Sequence, residues 1–491
     1  MKSIKTFVSQ PCSALVALIV ASSLPADAAT LEVPSQYPTI QSAIDAAANG
    51  DLVLIAPGTY VESPVLTGKT ITVASLFHTT GDRSHIDQTI IDGGGGARVV
   101  RIGASAALPV IVGLTLRNAS DGVSANGKFH FLDNRVTNTG DGIDYEAGSG
   151  GLVRGCVFEN NDDDGIDLDH SVTTTIENNT IRNNGDDGIE IRLQPYSGPH
   201  LANVIRNNSI TGNDEDGIQF ISYDIWTPRS FHIEGNLILN NAMAGVGMMC
   251  CANSVENYQG ASVLERITLF NNTFSGNAYG VTGGDSLSVV NNIFVNTTNI
   301  ALKNADAGSI AAYNLFFGNG VDVSQSNVDM ATTLFEDPQL LPDRSLATGS
   351  PAIDAGTVSF EINGVVVWSK DAGEFSGAAP DLGAVERTDT VDVIGGVDTW
   401  RVEFLPPSPN PSGGSTTLSV IMLVTGRVQL EIVDVTGRQV RLLIDGFRTA
   451  GRHEFSWDGL DESSRTVPAG VYFARLKTEA QAETRRFVKL R

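Results

Sequence analysis

Cysteine, positive charge and long apolar runs are all scarce in this 491-residue chain. Four cysteines occur, and Cys12 lies in the leader expected to be removed. The others, Cys156, Cys250 and Cys251, are too few for a disulfide framework, and adjacent Cys250 and Cys251 could pair with each other only under strain. Lysine and arginine together number 32 against 56 aspartates and glutamates, a formal net charge of −24. Such a balance disfavours nucleic acid as a partner, because phosphate binding calls for a basic face. It also repels a polyanionic glycan unless cations or a local basic patch intervene. The one apolar run, residues 14–21, is too short to span a bilayer. With Lys2 and Lys5 ahead of it and Ala26-Asp27-Ala28 behind it, residues 1–28 read as a secretory signal. Cys12 precedes the run instead of following it, which argues against a lipoprotein anchor.

What the chain has in abundance is glycine, 51 residues, and one recurring phrase. Asp-Gly-Ile or a close variant stands at Asp121-Gly122-Val123, Asp141-Gly142-Ile143, Asp164-Gly165-Ile166, Asp187-Gly188-Ile189 and Asp216-Gly217-Ile218, then fades to Ala244-Gly245-Val246 and Tyr279-Gly280-Val281. The glycines are spaced 142−122=20, 165−142=23, 188−165=23, 217−188=29, 245−217=28 and 280−245=35. A near-constant period with insertions marks a solenoid, one coil per repeat. A second column keeps step: Asn134, Cys156, Asn179, Asn208, Asn236, Asn272, Asn292 and Asn314. Buried asparagines stacked coil on coil can pass amide hydrogen bonds up the stack. The flanking pieces, such as Thr180-Ile181 and Ile189-Glu190-Ile191, are short and alternating, as strands are, and no helix-length apolar pattern interrupts them.

Short strands, Gly and Asn turns and an asparagine ladder resemble the right-handed parallel β-helix of the pectate-lyase-like superfamily, over residues 31–386. The expected fold class is all-β: a β-helix solenoid over residues 29–386 with an N-terminal capping helix, then a small C-terminal immunoglobulin-like β-sandwich. Ile40, Ala43, Ile44 and Ala47 share one helical face and Asn49-Gly50 ends that helix, which suits a cap over the first coil. Coils are expected over about 70–334, with a closing segment at 350–386 (SPAIDAG and PDLGAVE) like that of bacterial surface β-helix proteins. Residues 387–414, rich in proline and glycine, read as a linker. Residues 415–491, with GRQV, FSWDG and PAGVYF, resemble the FlgD-type immunoglobulin-like domain and equally the type IX secretion sorting domain. That resemblance implies secretion or outer-surface placement on a bacterium, with the secretion machinery as a partner. A monomer without a transmembrane segment is expected.

Chemistry is expected on the outward positions of the Gly-Ile strand, since strand residues alternate between core and solvent. One outward column reads Asp144, Asp167, Glu190, Gln219 and the next Glu146, Asp169, Arg192, Ile221. Carboxylates one strand spacing apart, about 4.8 Å, repel unless protonated or bridged, and calcium would bridge them. Asp144, Asp167, Asp169 and Glu190 are therefore candidate calcium ligands; a solvated acidic face is the alternative. The Asp before each Gly reads most simply as a turn residue. Insertions at 194–203, 223–231 and 250–264 would build one wall beside this column. In that wall Tyr196, His200, Tyr223, Trp226 and Arg229 could stack on sugar rings and pair with carboxylates, or the loops could simply pack on each other.

Three functions fit these residues. A polyuronate lyase like those of the superfamily would use calcium to acidify the uronate α-proton and Arg192 as the base. A glycoside hydrolase is suggested by DDGID (163–167) and GDDGIEIR (185–192), which resemble polygalacturonase segments and would make Asp164, Asp186 and Asp187 the acid/base group. That family's later Gly-His-Gly and Arg-Ile-Lys motifs are absent, as is the Asp-Pro-His-Asp motif of alginate epimerases. The third is a non-catalytic surface protein that binds glycan or serves as an adhesin. The expectation is an exported β-helix protein that binds and acts on acidic polysaccharide, lyase-like and with calcium, with the other two as alternatives.

Overall fold

The computed structural model describes residues 28–387 apart from 254, 363 and 372, and most of 402–490. Residues 1–27 of the expected signal and residues 388–401 of the expected linker lie outside the described residues.

Inward-facing β-branched residues drive the coiling. Ile143, Ile166, Ile189 and Ile218 pair in register from coil to coil, and each is fully buried. A parallel sheet of twelve strands, from Thr30–Val33 to Ile310–Ala312, forms one face of the solenoid. Two further faces are built from short strands such as Thr180–Arg182 and Ile189–Leu193. In the earlier coils these two faces run together as single long strands, Thr115–Ala125 and Arg135–Tyr145. Ring stacking continues the same logic near the C-terminal end: Phe274, Phe294 and Phe316 stack with centroids 4.7 and 4.9 Å apart.

The corners are made by asparagine. Asn178 and Asn207 adopt left-handed φ values of 56°, a conformation asparagine tolerates better than most residues. The next residue then turns inward. Asn179 Nδ2 donates to Asn208 Oδ1 at 3.0 Å, and the chain of amides continues through Asn236, Asn272 and Asn292 to Asn314. Cys156 fills one slot, its thiol accepting the Asn134 N–H at 3.4 Å. A second ladder, Asn161–Asn184–Asn213–Asn241–Asn277, occupies the next corner with amide contacts of 2.9–3.1 Å.

Two expectations are corrected. Coiling starts well before residue 70, because Thr30–Val33 pairs in parallel with Leu52–Ile55 and that strand with Thr72–Ser75. As expected of a cap, the helix Ile40–Ala46, itself capped by Thr39 in a reciprocal box with Ser42, buries Ile40, Ala43 and Ile44 against the first two of these strands. The repeated glycines do not serve left-handed turns. A Cβ on Gly165 would meet Gly188 O at 2.6 Å and Ile181 Cγ2 at 2.6 Å; on Gly188 it would meet Gly217 O at 2.5 Å. Glycine is there because successive coils approach too closely for a side chain.

Leu346, Ala352 and Leu382 of the closing region pack on Ile293, Val295 and Leu315, so this segment lies along the flank of the coils. Asn271 Nδ2 fastens it by donating to Asp381 O at 2.7 Å. The C-terminal unit has two antiparallel sheets, of three and four strands, around Trp457, Tyr472 and Phe487. No helix among the described residues is long and apolar enough to cross a membrane.

Candidate functional site: a buried carboxylate column

From Asp164 onward the Asp of the Asp-Gly phrase turns inward at the bend before the strand, while Asp121 and Asp141 lie within long strands and are half-buried. Asp164, Asp187 and Asp216 are 4%, 1% and 0% exposed, so residues expected as turn residues sit at bends and are buried there as well. Each carboxylate reaches to the next coil. The Asp164 N–H donates to Asp141 Oδ1 at 3.2 Å, the Asp187 N–H to Asp164 Oδ1 at 2.9 Å, the Asp216 N–H to Asp187 Oδ1 at 2.7 Å and the Ala244 N–H to Asp216 Oδ1 at 2.6 Å. This column is a ladder like the asparagine ones, built from a side chain that brings acceptors only.

Two more acidic columns flank it. Asp163, Asp186 and Glu215 directly precede the buried aspartates, and Asp144, Asp167, Glu190 and Gln219 follow in strand register. The carboxylates gather in three groups: Asp141–Asp163–Asp164, Asp164–Asp167–Glu190, and Asp186–Asp187–Glu215–Glu256. Within each group one oxygen of every member lies within 4.8 Å of the others. Four carboxylate oxygens among the described residues are buried without a hydrogen-bond partner, Asp167 Oδ1, Asp186 Oδ1, Asp187 Oδ2 and Asp216 Oδ2, as is Gln219 Oε1.

Burial and crowding make these acids reluctant to ionise. Burial, then Glu190, pushes Asp167 up to about 9. Burial, then Asp163, pushes Asp141 up to about 7, and burial with Asp121 and Glu146 pushes Asp144 up to about 6. Asp164 and Asp187 rise well above the usual carboxylate range, through burial and then through Glu190 and Asp216 respectively. Protonation is one way to relieve such crowding and a cation is the other. The donor set consists of hard carboxylate oxygens, which suits calcium and does not suit zinc or copper.

The expected calcium ligands are thus regrouped. Asp167 and Glu190 do converge, but with Asp164, while Asp144 lies outside that group. Asp169 pairs instead with Arg192 at 3.6 Å and accepts the Gln194 amide at 3.2 Å. Arg192 Nε contacts Glu190 Oε1 at 2.5 Å. Burial alone would weaken its hold on its proton, but Glu190, then Asp167 and Asp169, raise it above the ordinary guanidinium range. A guanidinium so held is a counter-charge, and the base expected of it has no support here. The hydrolase trio is also constrained: Asp164 and Asp187 are buried with one oxygen each committed to a backbone N–H, and of the three only Asp186 is partly open.

Of the loop residues, Trp226 stands 60% exposed and His200 is exposed, while Tyr196 and Tyr223 are half-buried. Arg229 is 4% exposed, donating to Gln194 O at 2.9 Å, Thr227 Oγ1 at 2.8 Å and His170 O at 2.6 Å, with Tyr196 stacked 5.2 Å away. It braces the wall through these bonds, lines a small cavity together with His170 and Arg192, and keeps its Nε buried without a partner. Glu215, Asp216 and Glu256 were not expected among the site's carboxylates. The acidic dyads Asp163-Asp164, Asp186-Asp187 and Glu215-Asp216, recurring before each glycine, carried a signal for two of them.

The sequence matches the family described as right handed beta helix region over residues 98–294 and the FlgD Ig-like domain over residues 411–482. No curated protein matches. Among solved structures, pectate lyase Pel9A is similar at 18% identity and a TM-score of 0.46, with 70% of this chain and 90% of that one covered. The A-module of the mannuronan C-5 epimerase AlgE4 of Azotobacter vinelandii is similar at 20% identity and a TM-score of 0.42, with 57% and 82% covered. The catalytic unit of a thermostable α-1,3-glucanase of Streptomyces thermodiastaticus follows at 17% and 0.31, with 65% and 69% covered. The chain is a right-handed parallel β-helix followed by an FlgD-type immunoglobulin-like domain.

Proposed function

We propose that this protein binds acidic polysaccharide through a bridging divalent cation, calcium by its chemistry, held by Asp164, Asp167 and Glu190. One observation carries the reading. Carboxylates from two adjacent coils converge within 4.8 Å, and Asp167 Oδ1 is buried there without a partner. Calcium takes six to eight oxygens, so three protein carboxylates leave positions that a uronate carboxylate can fill. The same ion answers the objection that so acidic a surface repels a polyanion. Arg192 competes with the cation for Glu190 as its ion-pair partner, and exposed Trp226 offers an aromatic face for a sugar ring.

A bound calcium would neutralise the uronate carboxylate and acidify the proton next to it, which is where an elimination begins. The chain's own residues stop short of that step, because Arg192 is committed as a protonated counter-charge. Binding is therefore the conclusion and lyase action the second reading. The test incubates the protein with a panel of polyuronates, with calcium or with a chelator. It measures binding, ultraviolet absorbance of unsaturated products and reducing ends in parallel. Calcium-dependent binding with both product channels silent is expected. Absorbance lost on chelation would establish elimination, and reducing ends without absorbance would establish hydrolysis. Binding untouched by the chelator would overturn the cation bridge.

We further propose outer-surface or secreted placement, with the C-terminal domain as the address read by the secretion machinery. Removing residues 407–491 should leave binding intact and abolish surface delivery; a truncated chain that still reaches the surface would refute this.

A further inference from the structure

We propose that Asp186, Asp187, Glu215 and Glu256 form a second divalent-cation site, one that fastens the 250–264 loop to the coils. The four acids come from three separate places. Asp186 and Asp187 sit at the corner of one coil, Glu215 at the corner of the next, and Glu256 in the long loop of the coil after that. One oxygen of each lies within 4.8 Å of the other three. The group shares no residue with Asp164, Asp167 and Glu190.

Crowded acids alone would carry little weight. Here two buried oxygens are left over. Asp187 is 1% exposed; its Oδ1 accepts the Asp216 N–H, and its Oδ2 has no hydrogen-bond partner. Asp186 Oδ1 is also buried without a partner. Among the described residues no lysine, arginine or histidine forms an ion pair with any of the four, whereas Glu190 has Arg192. Burying the Asp187 carboxylate with nothing opposite it is costly, and a cation of oxygen-loving type removes that cost and the crowding of half-buried Asp186, Glu215 and Glu256 against it.

The loop is oriented for this task. Gln219 replaces an acid in the outward column, and its Nε2 donates to Glu256 Oε1 at 2.7 Å, directing that side chain to the group. The Tyr258 hydroxyl donates to Asp216 Oδ1, two residues further along. A Cβ on Gly247 would fall 1.6 Å from Asp216 Oδ2, so glycine leaves room for that carboxylate beneath the loop. Four carboxylates on a loop and a rigid stack favour calcium, which tolerates irregular shells, over magnesium, which demands an octahedron.

The test is calcium titration of the full-length protein by calorimetry after chelation, with limited proteolysis of the 250–264 loop alongside. The wild type should bind two equivalents. E215Q/E256Q should bind one, and E256Q alone, on the loop and away from the coil interior, should read the same loss. Circular dichroism in chelator should show the variants folded, since glutamine keeps the shape and relieves repulsion. At a calcium concentration about ten times the dissociation constant, loop cleavage in the wild type should slow about tenfold, and it should not slow in E256Q. Asp167→Asn should lose the other equivalent and the polysaccharide binding while loop protection persists, so failure of either site is seen separately. One equivalent in the wild type that E256Q leaves unchanged, or cleavage indifferent to calcium, would overturn the proposal.

Discussion

Stripped of divalent cations, this protein should lose stability as pH rises from 6 to 8, and calcium should abolish the loss. Asp167 titrates at about 9 in the folded chain, raised first by burial and then by Glu190. Asp141 titrates at about 7, raised by burial and then by Asp163. In the unfolded chain an aspartate releases its proton near ~3.9. Between those values the folded state binds protons that the unfolded state has given up, so the unfolding free energy falls as pH rises. The stability is fully present below the unfolded pKa and is lost progressively up to the folded one. Each such group contributes a slope of about 1.4 kcal/mol per pH unit within its window. Asp167, whose window spans the whole range, should cost roughly 3 kcal/mol between pH 6 and 8, while Asp141 adds to the slope only up to about 7. Calcium replaces the protons, and its affinity should rise over the same range because binding must displace them.

Urea unfolding followed by circular dichroism at pH 6, 7 and 8, in chelator and in calcium, measures this directly. General repulsion within a chain of net charge −24 would bend stability the same way, so the discriminating arm is Asp167→Asn. That variant should flatten the slope in chelator by about 1 kcal/mol per pH unit. A slope that the substitution leaves unchanged, or stability that holds constant or rises with pH in chelator, would refute the buried-carboxylate argument.

Other consequences are more local. Asn208→Ala removes the acceptor of the Asn179 N–H and the donor to Ile176 O, and should cost about 2–4 kcal/mol by urea midpoint. Asn208→Cys should cost less, because Cys156 already serves one ladder slot; a cysteine worse than alanine would undo that account. Gly188→Ala, with its Cβ 2.5 Å from Gly217 O, should cost about 1–3 kcal/mol, and an unchanged midpoint would mean the coils can spread. Arg192→Gln withdraws the guanidinium from Glu190 and Asp169, so calcium should bind more tightly by on the order of 1 kcal/mol in calorimetry. Weaker binding would assign Arg192 to orienting the ligands.

The solenoid was legible because its evidence is periodic. Ile143, Ile166, Ile189 and Ile218 recur with the coil, and the asparagine column from Asn179 to Asn314 keeps the same step, so stacking followed from spacing. Side-chain direction at the corners was not legible. The period-two rule orients Asp167 and Glu190, which lie within strands, but it has no force at Asp164 or Asp187, where the backbone bends before the strand begins. Asp-Gly at a bend suggests a turn; only the distance from Gly165 to the carbonyl of the next coil shows that the glycine answers to stacking and the aspartate to an inward ladder. Glu256 was hidden for another reason: it reaches the column from an insertion whose path is set by contacts with Gln219 and Asp216 and by no repeat.

The same repetition explains why a site arises here at all. A solenoid stacks like on like, so any acid placed in the repeat is copied into a column one strand spacing apart. An asparagine so copied is satisfied by its neighbours, since an amide both donates and accepts. An aspartate is not. Its Oδ1 can take the backbone N–H of the next coil, as in Asp187 and Asp216, but Oδ2 is left buried without a partner. The chain interrupts the outward column with Gln219 and ends the buried one at Ala244, which limits the accumulation to the coils between Asp141 and Asp216. Within that span the acids are kept despite their mutual repulsion, and Arg192 supplies only one positive charge against them. On the proposed reading, the stability this arrangement costs the cation-free fold is regained when a divalent cation binds, and binding through that face then depends on the cation.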